Sequence, residues 1–194
     1  SMTLTVSQQL AKAPLVLTSP FTPMLFMGEE WGASTPFAFF VDHENEELNQ
    51  ATREGRMREF ARAGWNPQDV PNPAAEETFR SSVLNWAERN DAPHAEVLRG
   101  YTELLEFRRT HRLAEAELLD VSWWADAEEP VTEKLAGTNP TVSPISADTA
   151  EAQGRWIQLT YQAPESLVKV TVNLSDEPQE ALGLGPWEAR YTAE

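Results

Sequence analysis

Ser19-Pro20-Phe21-Thr22-Pro23-Met24-Leu25-Phe26-Met27-Gly28-Glu29-Glu30-Trp31-Gly32 is the stretch on which the fold of this chain turns. Pro20 and Pro23 bracket a short turn, since proline fixes φ and suits turn positions. The apolar residues that follow predict a strand over 23–27. A run of this length, closed by a glycine and paired carboxylates, fits a strand covered on both faces. Acidic and aromatic residues at the C-terminal mouth of such a strand stand where α/β barrels keep their active sites.

Composition bounds what such a strand can belong to. The chain has 194 residues, room for one large or two small domains. Its net charge of −16, from 31 acidic against 15 basic residues, argues against nucleic acid and against an anionic membrane surface, both of which are held by Lys and Arg. The absence of cysteine excludes disulfides, a thiolate nucleophile and cysteine zinc sites, and is compatible with a reducing cytoplasm. The apolar runs are far shorter than the ~20 residues of a membrane-spanning helix. Ser1-Met2-Thr3-Leu4 lacks the charged and apolar regions of a signal peptide. The chain is expected either to carry a short added remnant at Ser1-Met2 or to start inside a longer protein. Seven tryptophans (Trp31, Trp65, Trp86, Trp123, Trp124, Trp156 and Trp187) suit stacking on sugar rings. Taken singly, each is better read as a core or interface residue, because tryptophan is highly buried on average.

Working outward, residues 3–18 predict a helix in which Pro14 forces a kink or an early stop, because it cannot bond the Leu10 carbonyl. Residues 28–43, with Phe37, Phe39 and Phe40, read as a long loop, and long loops in compact domains are commonly functional. A helix is expected over 49–63, capped by Asn49 or Thr52 and ended by Gly64. Residues 65–79 read as irregular and proline-broken, with a short apolar patch at Val83, Leu84 and Trp86. The clearest helix spans 92–113, with Asp91 as cap and an apolar stripe of Val97, Leu98, Tyr101, Leu104, Leu105 and Phe107. Its basic C-terminal turn complements the helix dipole. Beyond residue 116 the period becomes 2, predicting strands at 119–124, 157–162 and 168–174, the last two joined by a hairpin loop at 163–166. Residues 137–154 read as an excursion between strands. The expected domains are thus 1–116 and 117–194, the second a small antiparallel β-sandwich.

The 19–32 run resembles the eighth barrel strand of malto-oligosyltrehalose trehalohydrolases, a branch of the α-amylase superfamily of glycoside hydrolases. The likeness continues through Arg53-Glu54-Gly55-Arg56, Glu59-Phe60, Gly64-Trp65, Thr78-Phe79, Tyr101…Leu104-Leu105…Arg108-Arg109 and Val172-Asn173-Leu174-Ser175-Asp176. The resemblance implies an α/β plus all-β fold: the C-terminal end of a (β/α)8 barrel, with 3–18 as helix 7, 23–27 as strand 8 and 92–113 as helix 8, followed by the sandwich. It implies that the family's three catalytic carboxylates lie on earlier strands, so that no catalytic residue is expected here and the chain alone is expected to be inactive. The missing N-terminal part of the barrel and a malto-oligosaccharide are the implied partners. No cofactor and no metal are implied. The reaction implied for the parent is retaining hydrolysis of the α-1,4 bond beside the trehalose end of malto-oligosyltrehalose. A lone parallel strand exposes two unpaired edges, which is an association hazard.

Glu29 and Glu30 are the tempting catalytic pair, but adjacent strand residues point to opposite faces and cannot flank one glycosidic bond. They are read as scaffold, one bonded to neighbouring loops and the other capping beside it. Trp31, Phe39, Phe40 and His43, on the loop over the barrel mouth, are the candidate substrate-binding residues. The competing structural expectation is that the Phe side chains pack the loop onto the rim. His94 and His111 lack metal-ligand spacing and are read as surface residues. Glu44–Glu47 and Asp126–Glu129 are read as solvated loops without calcium-loop spacing. A rival of another class is a non-catalytic carbohydrate-binding or interaction module. Within enzymes the rival is a branching or debranching member of the same superfamily.

Overall fold

Thr5 opens the first helix, α1 (Val6–Leu17), with a capping box: its hydroxyl accepts from the Gln8 amide, and the Gln8 side chain accepts from the Thr5 amide. The computed structural model describes residues 4–64, 66, 69–125, 131–134, 154–179 and 182–194. The expected early stop at Pro14 does not occur. The helix runs on to Leu17, and the Pro14 carbonyl accepts from both the amide and the hydroxyl of Thr18, which closes the helix. Further elements follow: α2 (Glu46–Arg62), α3 (Glu76–Ser81), α4 (His94–Thr110), β1 (Glu117–Ala125), β2 (Val131–Lys134), β3 (Gly154–Gln162), β4 (Leu167–Asn173) and β5 (Ala189–Ala193). Trp65, Asp126–Glu129 and all but residue 154 of the expected 137–154 excursion lie outside the described residues.

The chain divides into two units, one made of Ser1–Gly32 with Asp91–Glu194, the other of Ala33–Asn90. Residue 116, expected as a boundary, lies inside the first unit.

In the first unit the strands form one antiparallel sheet in the order β2-β1-β3-β4-β5. Register places Val121, Leu159, Val170 and Tyr191 in one row, with Leu118, Tyr161 and Val168 beside them. That face is buried: Leu159, Tyr161, Val168, Val170 and Val172 form a core with Ala11 of α1 and Leu113 just past α4. The opposite face carries Asp120, Thr160, Lys169 and Thr192 in one row and Ser122, Gln158, Thr171 and Arg190 in the next. The expected β-sandwich is therefore corrected. Among the described residues there is a single sheet, covered by helix on its apolar face. Its other face is polar over these two rows, and Trp156 is buried in the row beyond them. Strands β2 and β5 are additional to the expected strands; both are short, four and five residues, although β5 alternates.

Helices α1 and α4 pack on each other through Ala13, Leu17, Val97, Tyr101 and Leu104. Gly100 lets α1 approach closely, since a Cβ there would run into the Leu10 side chain. The helix expected over 92–113 is shorter, His94–Thr110, with a separate 3-10 turn at Leu113–Glu115. Its N-cap is Pro93, not Asp91, although the Asp91 carbonyl accepts the Ala95 amide.

The expected strand at 23–27 is also corrected. These residues take no regular structure and no ladder partner among the described residues. Most of them are exposed: Met24 is 89 % exposed, with Phe26 and Met27 exposed beside it, while Leu25 packs against the core between α1 and α4. An apolar run specifies burial, but a strand also needs a neighbour to accept its amides and supply its carbonyls' donors.

In the second unit α2 starts earlier than expected, capped by Asn45, whose side chain accepts from the Glu47 and Leu48 amides. Glu46 and Glu47, read as loop, instead occupy its first turn, where the dipole favours them. No residue of α2 is buried. Residues 76–79, expected as irregular, belong to the short helix α3.

Candidate functional site

The Gly28–Gly32 turn is built by backbone geometry and one buried tyrosine. Gly28 at φ 81° and Gly32 at φ 62° flank a 3-10 turn, Glu29–Trp31. Both angles lie in the left-handed region that glycine enters at least cost. At Gly32 a side chain would also meet Gln9 Oε1 at 2.5 Å. Glu29 Oε2 accepts the Phe26 amide at 3.0 Å, and Oε1 accepts the Tyr101 hydroxyl at 3.0 Å. Burial, followed by the hydrogen bond to Glu29 and its charge, pushes the Tyr101 hydroxyl pKa well above its ordinary value. The phenol therefore stays a donor, and Glu29 stays a structural acceptor. Glu29, expected to bond to neighbouring loops, bonds instead to α4 and to its own turn.

Arg108, two turns along α4 from Tyr101, donates to the carbonyls of Leu17, Ser19 and Phe21, two of them at 3.0 Å. It therefore does more than complement the helix dipole. Arg108 and the Tyr101–Glu29 pair fix the two ends of the exposed apolar run from a single helix. His94, expected at the surface, is half-buried, and its Nδ1 lies 3.0 Å and 3.1 Å from the Trp31 and Gly32 carbonyls. An Nδ1–H donating to both carbonyls satisfies that geometry. His111 is likewise half-buried, its ring 4.4 Å from that of Phe107.

The expected substrate contacts fall in different units. Trp31 belongs to the first and is 2 % exposed, so its ring offers no free face to a ligand in this arrangement. The other three lie in the second. Phe39 is 46 % exposed, and the Arg56 guanidinium sits 4.9 Å from its ring centroid and 4.9 Å from that of Phe60. Phe40 is half-buried, packed edge-on against Phe79 at 5.2 Å and tilted against Phe37 at 6.0 Å. The His43 carbonyl accepts the Asn49 side-chain amide at 3.0 Å, which ties the end of the loop to α2. Phe37 and Phe79 are exposed alongside.

A set of polar residues that sequence did not single out holds this loop. Glu88 accepts from the Ser34 amide at 3.0 Å and from its hydroxyl at 2.6 Å. The Ser82 hydroxyl accepts the Ala38 amide at 3.1 Å and stands 2.9 Å from the Thr78 carbonyl, to which it donates. The Val41 amide donates to the Pro73 carbonyl at 2.9 Å. These links join residues far apart in the chain, and no local motif announces them.

Among the described residues no cluster of His, Asp and Glu could hold a metal ion, and no helix is long and apolar enough to cross a membrane.

Comparison with known proteins gives this geometry its setting. No family model matches the chain. In three dimensions it resembles a crystal structure from Salmonella typhimurium assigned as an α-amylase, with a TM-score of 0.65 and 26 % identity over 96 % of this chain and 30 % of that one. The chain is thus similar in three dimensions to part of an α-amylase-like structure. The curated relatives it matches are malto-oligosyltrehalose trehalohydrolases. The match to that of Brevibacterium helvolum is 52 % identical over 57 % of this chain and 19 % of the relative. That to Mycobacterium tuberculosis strain H37Rv is 47 % identical over 65 % and 21 %. That to Deinococcus radiodurans is 40 % identical over 89 % and 28 %. The chain therefore spans about a fifth to a quarter of the length of these relatives.

Proposed function

We propose that this chain is the C-terminal part of a retaining α-glycosidase that hydrolyses the α-1,4 bond next to the trehalose end of malto-oligosyltrehalose and releases trehalose. The observation that carries this is the 52 % identity over 111 residues to a trehalohydrolase of which the match covers only 19 %. On this reading residues 1–116 complete a (β/α)8 barrel whose catalytic carboxylates lie in the part preceding this chain, and residues 117–194 form the β domain behind it. The run 23–27, irregular here, becomes strand 8 once neighbouring strands flank it. Its exposed Met24, Phe26 and Met27 support that, since soluble proteins seldom leave such a contiguous apolar stretch uncovered. Phe39 and His43, on the loop beyond that strand, are assigned to the substrate. Phe40 packs against Phe37 and Phe79, and Trp31 is buried within its turn. The absence of cysteine fits a cytoplasmic setting.

The experiment is an assay of trehalose release from maltotriosyltrehalose by the intact natural polypeptide and, separately, by these 194 residues. The intact protein is expected to release trehalose, with the α-configuration kept in the freed maltotriose, and the shorter chain to release none. Turnover by the 194 residues alone, or inversion by the intact protein, contradicts the reading.

A further inference from the structure

We infer that Glu88 is a positioning residue, which with Ser82 holds the aromatic loop 34–41 in the one conformation that presents Phe39 to a glucan. The inference rests on the assignment of this loop to the substrate. It deepens that assignment by naming what makes the loop a fixed surface. Side chains on an unrestrained loop must pay ordering entropy each time they bind; a loop already held does not.

The physical case starts from what the second unit lacks. Helix α2 buries none of its residues, and the buried residues of the unit include Thr78, Ser82 and Glu88. Apolar packing alone therefore does not fix the loop. Its order comes from hydrogen bonds spaced along it at Ser34, Ala38 and Val41, received by Glu88, Ser82 and Pro73. Glu88 is the strongest of these anchors. It is a buried carboxylate with one oxygen on a backbone amide and the other on a hydroxyl of the same residue, and charge-assisted bonds are roughly twice as strong as neutral ones. Ser82 is a relay, with its hydroxyl hydrogen committed to the Thr78 carbonyl and its oxygen left to accept the Ala38 amide. Between these anchors sit Phe37 and, one residue past Ala38, Phe39. The alternation of held backbone and exposed ring is what a preformed stacking surface requires.

The test uses Glu88→Ala, Glu88→Gln and Ser82→Ala in the intact natural polypeptide, with two readouts: amide hydrogen exchange over residues 34–41 and affinity for maltoheptaose by calorimetry. Glu88→Ala is expected to speed exchange at the Ser34 amide by about tenfold or more, leaving the Val41 amide, which bonds Pro73, as an internal reference. Maltoheptaose binding should weaken by about fivefold or more. Glu88→Gln keeps an acceptor for the Ser34 amide and an amide donor for its hydroxyl, so it should restore most of both. Ser82→Ala should act on the Ala38 amide and on affinity in the same direction. Unchanged exchange at Ser34 in Glu88→Ala overturns the clamp. Faster exchange with unchanged affinity overturns its positioning role while leaving the substrate assignment in place. If the unaltered polypeptide binds no maltoheptaose, the assignment of the loop to sugar fails and the inference with it, whatever the exchange data show.

Discussion

Removing either partner of the Tyr101–Glu29 hydrogen bond should destabilise the first unit, but unequally, and the inequality follows from burial. Tyr101 is 4 % exposed and packs with Val97 and Leu104, whereas Glu29 is exposed to solvent. Tyr101→Phe keeps the ring and deletes the buried donor, and water can then serve the freed Glu29 oxygen. The expected loss is that of one net hydrogen bond, about 0.5–1.5 kcal/mol. Glu29→Ala is worse. It strands the Tyr101 hydroxyl in the core and takes the acceptor from the Phe26 amide, for a loss of about 2–3 kcal/mol. Once Tyr101→Phe is present the stranded hydroxyl is gone, so adding Glu29→Ala should cost about 1 kcal/mol less than it does alone. Urea unfolding of the single and double variants at neutral pH measures all of these. If Glu29→Ala proves no more destabilising than Tyr101→Phe, or if the two losses simply add, the buried-donor account of this turn is wrong.

Three further outcomes can be checked in the same chain. Burial pushes the Tyr161 hydroxyl up to about 12, partly offset by its hydrogen bond with Thr18. Because the folded form holds its proton more tightly than the unfolded one, the stability Tyr161 contributes is complete below pH 10 and is lost as pH rises from 10 to about 12. Unfolding at stepped pH should show a loss of about 1–3 kcal/mol over that range, reduced in Tyr161→Phe. Arg108→Lys should not substitute for Arg108, because an ammonium cannot fork to the carbonyls of Leu17, Ser19 and Phe21 together. Limited proteolysis should cut the 19–27 segment faster in Arg108→Lys, and its thermal midpoint should fall. Phe39→Ala should weaken maltoheptaose binding by about fivefold to tenfold through loss of one stacking face, as read by calorimetry.

The parts of the fold that were legible are those written in local chemistry. The stripe Val97–Tyr101–Leu104 located α4, and the alternation in 157–162 and 168–174 located β3 and β4. Element ends were less legible. Asn45 rather than Asn49 caps α2, and the Thr5–Gln8 capping box went unnoticed. Pairing was not legible at all in 23–27: Met24, Leu25, Phe26 and Met27 state a need for burial, but they do not say which strand answers it. What covers the sheet was not legible for a related reason. Period-2 alternation shows that one face is apolar; only register shows that Thr160, Lys169, Gln158 and Thr171 gather on the other. At the candidate site, the aromatic loop was legible. Tyr101, Arg108, Ser82 and Glu88 were not, because each reaches residues distant in the chain through a bond that leaves no trace in spacing.

We propose that the apolar run 23–27 is an inner strand of a larger glycoside hydrolase, of which these residues are the closing part. Met24, 89 % exposed here, is its natural reporter. Hydroxyl-radical footprinting should oxidise Met24 at nearly the rate of free methionine in the 194-residue chain, and slow it by about tenfold or more in the intact natural polypeptide, where neighbouring strands cover it. Equal oxidation of Met24 in the two would contradict the claim.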